Sequence, residues 1–237
     1  MRPTTRRSGC SRWGSCRNHR QAVRQGLRSY RRASPAPPPV PVAACWRQAR
    51  QRQYHRRMLS NGEVVIVSGP PGSGKTTVSA ALASGWERGV HLESDWFFRS
   101  IRSGFVAPGL PEAHTQNAAV MAVAADAAAA YADAGYTVVW DGIVGPWFLD
   151  RIVQRLGARK IRVQYLVLRP RRDTMLERLQ GRDDTTETTD VEALYDQFAD
   201  LGELEPHVVP SDAPTEQVIE ACKAALADGS LRVTEPL

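Results

Sequence analysis

The residues best equipped for chemistry are Gly69-Pro70-Pro71-Gly72-Ser73-Gly74-Lys75-Thr76. They fill every fixed position of the pattern G-x-x-x-x-G-K-[ST]. Glycines open backbone conformations closed to other residues, so successive N–H groups can turn toward one anion. A helix starting at the end of the loop adds the partial positive charge of its N-terminus. Lys75 brings a full charge to the outer phosphates of a nucleoside triphosphate, the Thr76 hydroxyl suits Mg²⁺, and Thr77 follows in the same turn. A plain Gly/Pro turn with a stray lysine would not need particular neighbours. Here the β-branched run Glu63-Val64-Val65-Ile66-Val67-Ser68 precedes the loop and reads as a buried strand, and a helix over 74–85 follows it.

Acidic groups come next. Glu93 and Asp95 follow a short apolar run, and on an extended segment two carboxylates two apart point the same way. Beside a triphosphate, one could hold Mg²⁺ while the other accepts a proton from an attacking hydroxyl. Asp95 suits the proton, with Trp96-Phe97-Phe98 as a pocket wall. A helix cap at Ser94 or Asp95 is compatible with that role. Asp141 ends another apolar run and competes with Glu93 for Mg²⁺, although Asp-Gly is also a common turn pair. Arg178 and Arg182 flank the start of a polar stretch, Gly181–Asp190, that reads as a mobile loop; Arg182 is the better lid residue, since guanidinium groups clamp phosphate oxygens. Arg169 and Arg171 read as surface residues, and His91 and His114 as structural or exposed.

These groups meet only if the chain folds as alternating strands and helices. Strands are predicted at 63–68, 90–92, 137–140, 161–168 and 207–209. Helices are predicted at 74–85, 111–134, 146–156, 171–180, 191–201 and from Pro214 to near Asp228. That alternation argues for a parallel five-stranded sheet in a three-layer α/β/α fold. Ligands then bind at the carboxyl ends of the strands, so Gly69–Thr76, Glu93–Asp95, Asp141–Gly142 and Ser211–Pro214 should converge.

The net charge of +6 misleads, because residues 1–57 carry fifteen Arg and no Asp, Glu or Lys. Residues 58–237 hold sixteen Lys and Arg against twenty-five Asp and Glu, so the basic balance gives this part no case for nucleic acid. The Pro-rich, Arg-rich segment 1–57 reads as disordered or as an over-extended gene start, with the domain beginning at Met58. A nucleic-acid arm or a transit peptide are its other readings. No run is long enough for a membrane span. Cys222 stands alone in the 58–237 part, which suits a reducing cytoplasm and a packed role.

The stretch from Gly62 to Ala227 resembles the small phosphate-loop kinases. Among these are gluconate and shikimate kinases and the chloramphenicol-phosphotransferase-like and zeta-toxin-like members of the AAA_33 type. The resemblance rests on Gly69–Thr76, Glu93-Ser94-Asp95, Asp141, Arg178 and Arg182. It departs at position 93, where several of these kinases carry Asp, and no acceptor-binding residues match a named kinase. It implies transfer of the γ-phosphoryl group of ATP, with Mg²⁺, to a hydroxyl of a small molecule, with Asp95 as base, by a monomer or homodimer. A nucleotide-sugar or polynucleotide kinase, or a nucleotide-binding switch with no acceptor, are the alternatives.

Overall fold

The computed structural model describes residues 62–180 and 188–233. The basic segment 1–57, Met58 and the expected lid residue Arg182 lie outside the described residues.

Strand β1 (Glu63–Ser68) is the centre of the sheet, and all six of its residues are buried. A strand covered on both faces reads as an unbroken apolar run, which explains Val64-Val65-Ile66-Val67. With β2 (Gly89–Glu93), β3 (Thr137–Asp141), β4 (Arg162–Arg169) and β5 (Val208–Pro210), it forms a parallel sheet in the order β2-β3-β1-β4-β5. The five predicted parallel strands are present. A sixth, β6 (Arg232–Val233), was not predicted; it pairs antiparallel with the start of β4, and two residues carry too little pattern to be read.

Each face has its own core. Val64, Ile66, Val138 and Trp140 face α3 (His114–Asp133) and α4 (Pro146–Gly157). Val65, Val67 and Val139 face α1 (Lys75–Ser84) and α7 (Thr215–Asp228). Helix α3 buries Val120, Met121, Ala124, Ala125, Ala128, Ala129 and Ala132 along one stripe. Small residues let it lie close to the sheet: a Cβ on Gly62 would sit 1.8 Å from the Ala132 carbonyl oxygen. Arg155 of α4 grips Asp126 of α3 through two hydrogen bonds of 2.6 Å. Cys222 is fully buried in the second core, and burial pushes its thiol up to about 12, as a packed, inert role requires.

Two further differences from the sequence reading concern the site, and a third lies away from it. A helix, α2 (Ser94–Arg99), starts immediately after β2, so Glu93 and Asp95 do not share an extended segment. After α5 (Arg172–Gln180), helix α6 (Thr188–Asp196) begins inside the stretch expected to be loop and ends before residue 201. Arg169, expected at the surface, is only partly exposed. Its guanidinium pairs with both Glu205 oxygens at 2.8 Å and donates to the Phe198 and Ala199 carbonyls at 3.0 Å.

Candidate active site

The phosphate loop leaves the carboxyl end of β1 and turns on three glycines with positive φ: Gly69 at 135°, Gly72 at 73° and Gly74 at 91°. Gly69 has a second constraint, since a Cβ there would lie 2.1 Å from the Leu168 carbonyl oxygen on β4. Ser73 N–H donates to the Pro70 carbonyl at 3.3 Å, and α1 follows directly with Lys75, Thr76 and Thr77 in its first turn. The Lys75 ammonium donates to the Pro70 carbonyl at 2.9 Å, so it lies folded back across its own loop. Thr76 and Thr77 are exposed at the helix start.

Arg178 joins this loop to the next strand end. Its guanidinium donates to the Gly72 carbonyl at 3.3 Å and to the Ser211 carbonyl at 2.8 Å. A cavity of about 240 Å³ opens there, lined by Gly72, Gly74, Thr77, Arg178, Ser211 and Thr215 among others.

On the other side of β1, the acidic residues separate. Val90 and Leu92 pack into the first core, so strand alternation turns His91 and Glu93 toward the opposite face. Glu93 is the register partner of Asp141, which in turn sits beside Val67 of β1. Asp141 is 5% exposed, and its Oδ2 lies 3.5 Å from His91 Nε2. Glu93 accepts a hydrogen bond from Trp96 Nε1 at 3.3 Å. These two carboxylates lie side by side on the face covered by α1, whose first turn carries Thr76. Oxygen donors of this kind suit Mg²⁺. The two competing positions of the sequence reading are therefore neighbours.

Asp95 points elsewhere. It lies in the first turn of α2, 4.0 Å from Arg99 Nη2, with its side chain 70% exposed. It lines a second cavity of about 400 Å³, walled by Phe98, Met121, Ile143, Trp147, Phe148 and Leu194. Tight local packing shapes this cavity's floor. Trp140 Nε1 donates to Ser94 Oγ at 2.7 Å, and a Cβ on Gly142 would lie 2.2 Å from that same oxygen. Ser68 Oγ accepts from Val144 N–H at 2.9 Å and donates to the Val144 carbonyl at 2.8 Å. Tyr165 O–H donates to the same carbonyl at 2.6 Å, and burial pushes its phenol well above the usual range. The β3–α4 connection is thereby anchored to β1 and β4. Helix α6, which supplies Leu194, is held by Arg172 through Glu192 and Asp196, and by Tyr195 O–H donating to the Pro170 carbonyl at 3.0 Å.

Of the strand ends expected to converge, Gly142 N–H reaches the Val67 carbonyl and Arg178 links Gly72 to Ser211, whereas Asp95 lines a separate cavity. His114 is exposed at the start of α3 and does not line the Asp95 cavity. Sequence reasoning missed Asn117, Trp147 and Leu194, which carry no local motif and reach the cavity only through packing. Among the described residues, no group of three or more His, Cys, Asp or Glu is placed to hold a metal ion, so any metal here would share its shell with substrate and water. No described helix is long and apolar enough to cross a membrane.

No curated protein matches the chain. Among solved structures, a gluconokinase from Sinorhizobium meliloti 1021 aligns with a TM-score of 0.56 at 18% identity, covering 72% of this chain and 94% of that one. The tunicamycin resistance protein of Deinococcus radiodurans aligns with a TM-score of 0.53 at 22% identity, covering 70% and 95%. The APS kinase of Mycobacterium tuberculosis, solved with AMPPNP and APS, aligns with a TM-score of 0.51 at 15% identity, covering 70% and 98%. Identities this low speak for the fold, that of the small phosphate-loop kinases. The AAA_33 model, described as an AAA domain, matches residues 64–203, more than half of the chain. The chain belongs to the AAA_33 family.

Proposed function

We propose that this protein, through a domain spanning residues 58–237, transfers the γ-phosphoryl group of ATP to a hydroxyl of a small molecule. The observation that carries the reading is the pair of cavities. One is bounded by the phosphate loop and Arg178, on the β4–β5 side of β1. The other is bounded by Asp95, on the β2–β3 side. The phosphate loop lies between them in the sheet order. A nucleotide switch needs only the first; a transferase needs a place for each partner, with the phosphoryl group between.

Each residue has a part. Backbone N–H groups of Gly69–Thr76 and the start of α1 receive the phosphates. Lys75 exchanges its contact with the Pro70 carbonyl for the oxygens of the group in flight. Arg178 holds the far wall of the nucleotide cavity by its two backbone contacts. Asp95 accepts the proton of the acceptor hydroxyl as that oxygen bonds to the γ-phosphorus, while the bond from phosphorus to the β–γ bridging oxygen breaks and ADP departs. Thr76, Asp141 and Glu93 are the oxygen donors that would hold Mg²⁺, which when bound neutralises phosphate charge. Positioning and charge stabilisation supply most of the rate in such chemistry.

The test is transfer of label. The full chain is incubated with Mg²⁺, ATP labelled in the γ-phosphate, and a panel of sugar-acid, phenicol, aminoglycoside and nucleoside alcohols. Label should move into at least one alcohol. Release of inorganic phosphate alone, at a rate no alcohol raises, would contradict the proposal.

A further inference from the structure

Resting on that reading, we infer that the acceptor is an uncharged alcohol with a largely apolar, aromatic or branched aliphatic body, and not a sugar acid, a nucleotide or a phosphorylated sugar. Three observations carry it.

The first is the wall. Phe98, Met121, Ile143, Trp147, Phe148 and Leu194 enclose a volume of about 400 Å³, the size of a pocket for a medium-sized organic molecule. An apolar wall gains from removing apolar ligand surface from water, at roughly 25 cal/mol per Å². A polyhydroxylated body would leave its hydroxyls against carbon, and each unpaired buried hydroxyl costs on the order of 1–3 kcal/mol. Within this wall Trp147 is 45% exposed, so apolar surface remains for a ligand to cover.

The second is charge. The cavity is lined by one cation, Arg99, and one carboxylate, Asp95. They lie 4.0 Å apart, and the Arg99 guanidinium also sits 5.8 Å above the Trp96 ring. An anionic acceptor would meet a guanidinium already shared and a carboxylate that repels it. Recognition of a phosphate or carboxylate calls for a bidentate guanidinium or a cluster of cations.

The third is the polarity of what remains unused. Asn117 Nδ2 donates to the Pro108 carbonyl at 2.8 Å, while its buried Oδ1 has no hydrogen-bond partner among the described residues. Ser94 Oγ accepts from Trp140 Nε1. The Asp95 carboxylate is an acceptor only and its side chain is 70% exposed, so an alcohol hydroxyl can donate to it, whereas a carboxylate or phosphate dianion brings it no donor.

Matched probes test this: 3-phenyl-1-propanol and cinnamyl alcohol against gluconate and glucose 6-phosphate. Binding to the full chain is read without ATP, by quenching of tryptophan fluorescence and by line-broadening of ligand NMR signals. Transfer is read separately, as movement of the γ-label. The aromatic alcohols should bind at least tenfold more tightly than the anions, and Leu194→Asp should weaken them at least tenfold while thermal unfolding remains cooperative. Trp147→Ala, at a half-exposed position, is the second variant should Leu194→Asp fail to fold. Gluconate or glucose 6-phosphate binding more tightly than the aromatic alcohols overturns the inference, whether or not label is transferred. Equal binding of the alcohols to wild type and to both folded variants overturns it as well. Aromatic alcohols that bind in the predicted way but receive no label, with no other alcohol receiving any, uphold the cavity's chemistry and contradict phosphoryl transfer.

Discussion

The phosphate-loop cavity and the Asp95 cavity flank the same strand, yet they are made of different material. The first is shaped by backbone: three glycines at positive φ, the carbonyls of Gly72 and Ser211, and one arginine bridging them. The second is shaped by side chains from four helices, α2, α3, α4 and α6, over a floor held by the Trp140–Ser94 hydrogen bond. Backbone geometry admits few substitutions, whereas a side-chain wall can be rebuilt one residue at a time. On the proposed reading, the backbone half would receive the phosphates, common to every triphosphate, and the side-chain half would set which alcohol is admitted.

The strongest way to probe this contrast is to remove the charge proposed to act on the phosphoryl group in flight. Lys75→Ala should lower transfer by roughly 10²–10³-fold with every acceptor alike, read as turnover of labelled ATP. An acceptor-dependent loss would mean that Lys75 belongs to the variable half. Gly69→Ala comes next. It forces a Cβ toward the Leu168 carbonyl at a φ of 135°, and strain of this kind costs about 1–3 kcal/mol before the clash is counted. ATP affinity and thermal stability should fall together, while binding of an aromatic alcohol to the folded fraction stays close to wild type. Trp140→Phe is the converse. It leaves Ser94 Oγ without its buried donor at a cost of about 1–3 kcal/mol, and each kcal/mol lowers Tm by roughly 2–4 °C. Its effect on alcohol binding should exceed its effect on ATP binding.

The smallest expected effect lies outside both halves. The Arg169 guanidinium beside Glu205 lowers its carboxyl from the ordinary 4.5 to about 2. A depressed folded-state value means stability fully present above pH 4.5 and lost as pH falls toward 2. The carboxylate is more than a third exposed, so water screens the pair and the gain is modest. Glu205→Gln should lower Tm slightly at pH 7, and the difference should vanish near pH 2, as followed by circular dichroism across pH. A constant difference would assign the effect to packing.

The same contrast explains what could be read from the sequence. A loop that needs glycine at Gly69, Gly72 and Gly74, followed at once by Lys75 and Thr76, writes its requirement into adjacent residues. So does a strand buried on both faces, as β1 is. The relation between Glu93 and Asp95 was misread because α2 begins with no linker after β2, turning two residues of apparent strand into a strand end and a first helical turn. Strand register then sets Glu93 beside Asp141, while the first helical turn carries Asp95 to the other cavity. Asn117, Trp147 and Leu194 could not be assembled in advance, since only the packing of α3, α4 and α6 brings them together. The Arg169–Glu205 pair was missed for the same reason: its partners are 36 positions apart and obey no local spacing.

The most direct test of the account is Asp95→Asn, assayed for γ-label transfer and, separately, for ATP binding. Asp95 lines the second cavity and does not line the one beside the phosphate loop, the proposed nucleotide site. Loss of a positioned base typically costs 10²–10⁴-fold, so transfer should fall by roughly that much while the dissociation constant for ATP stays within about twofold. Unchanged transfer in the folded variant, or a parallel loss of ATP binding, would contradict the division of labour between the two cavities.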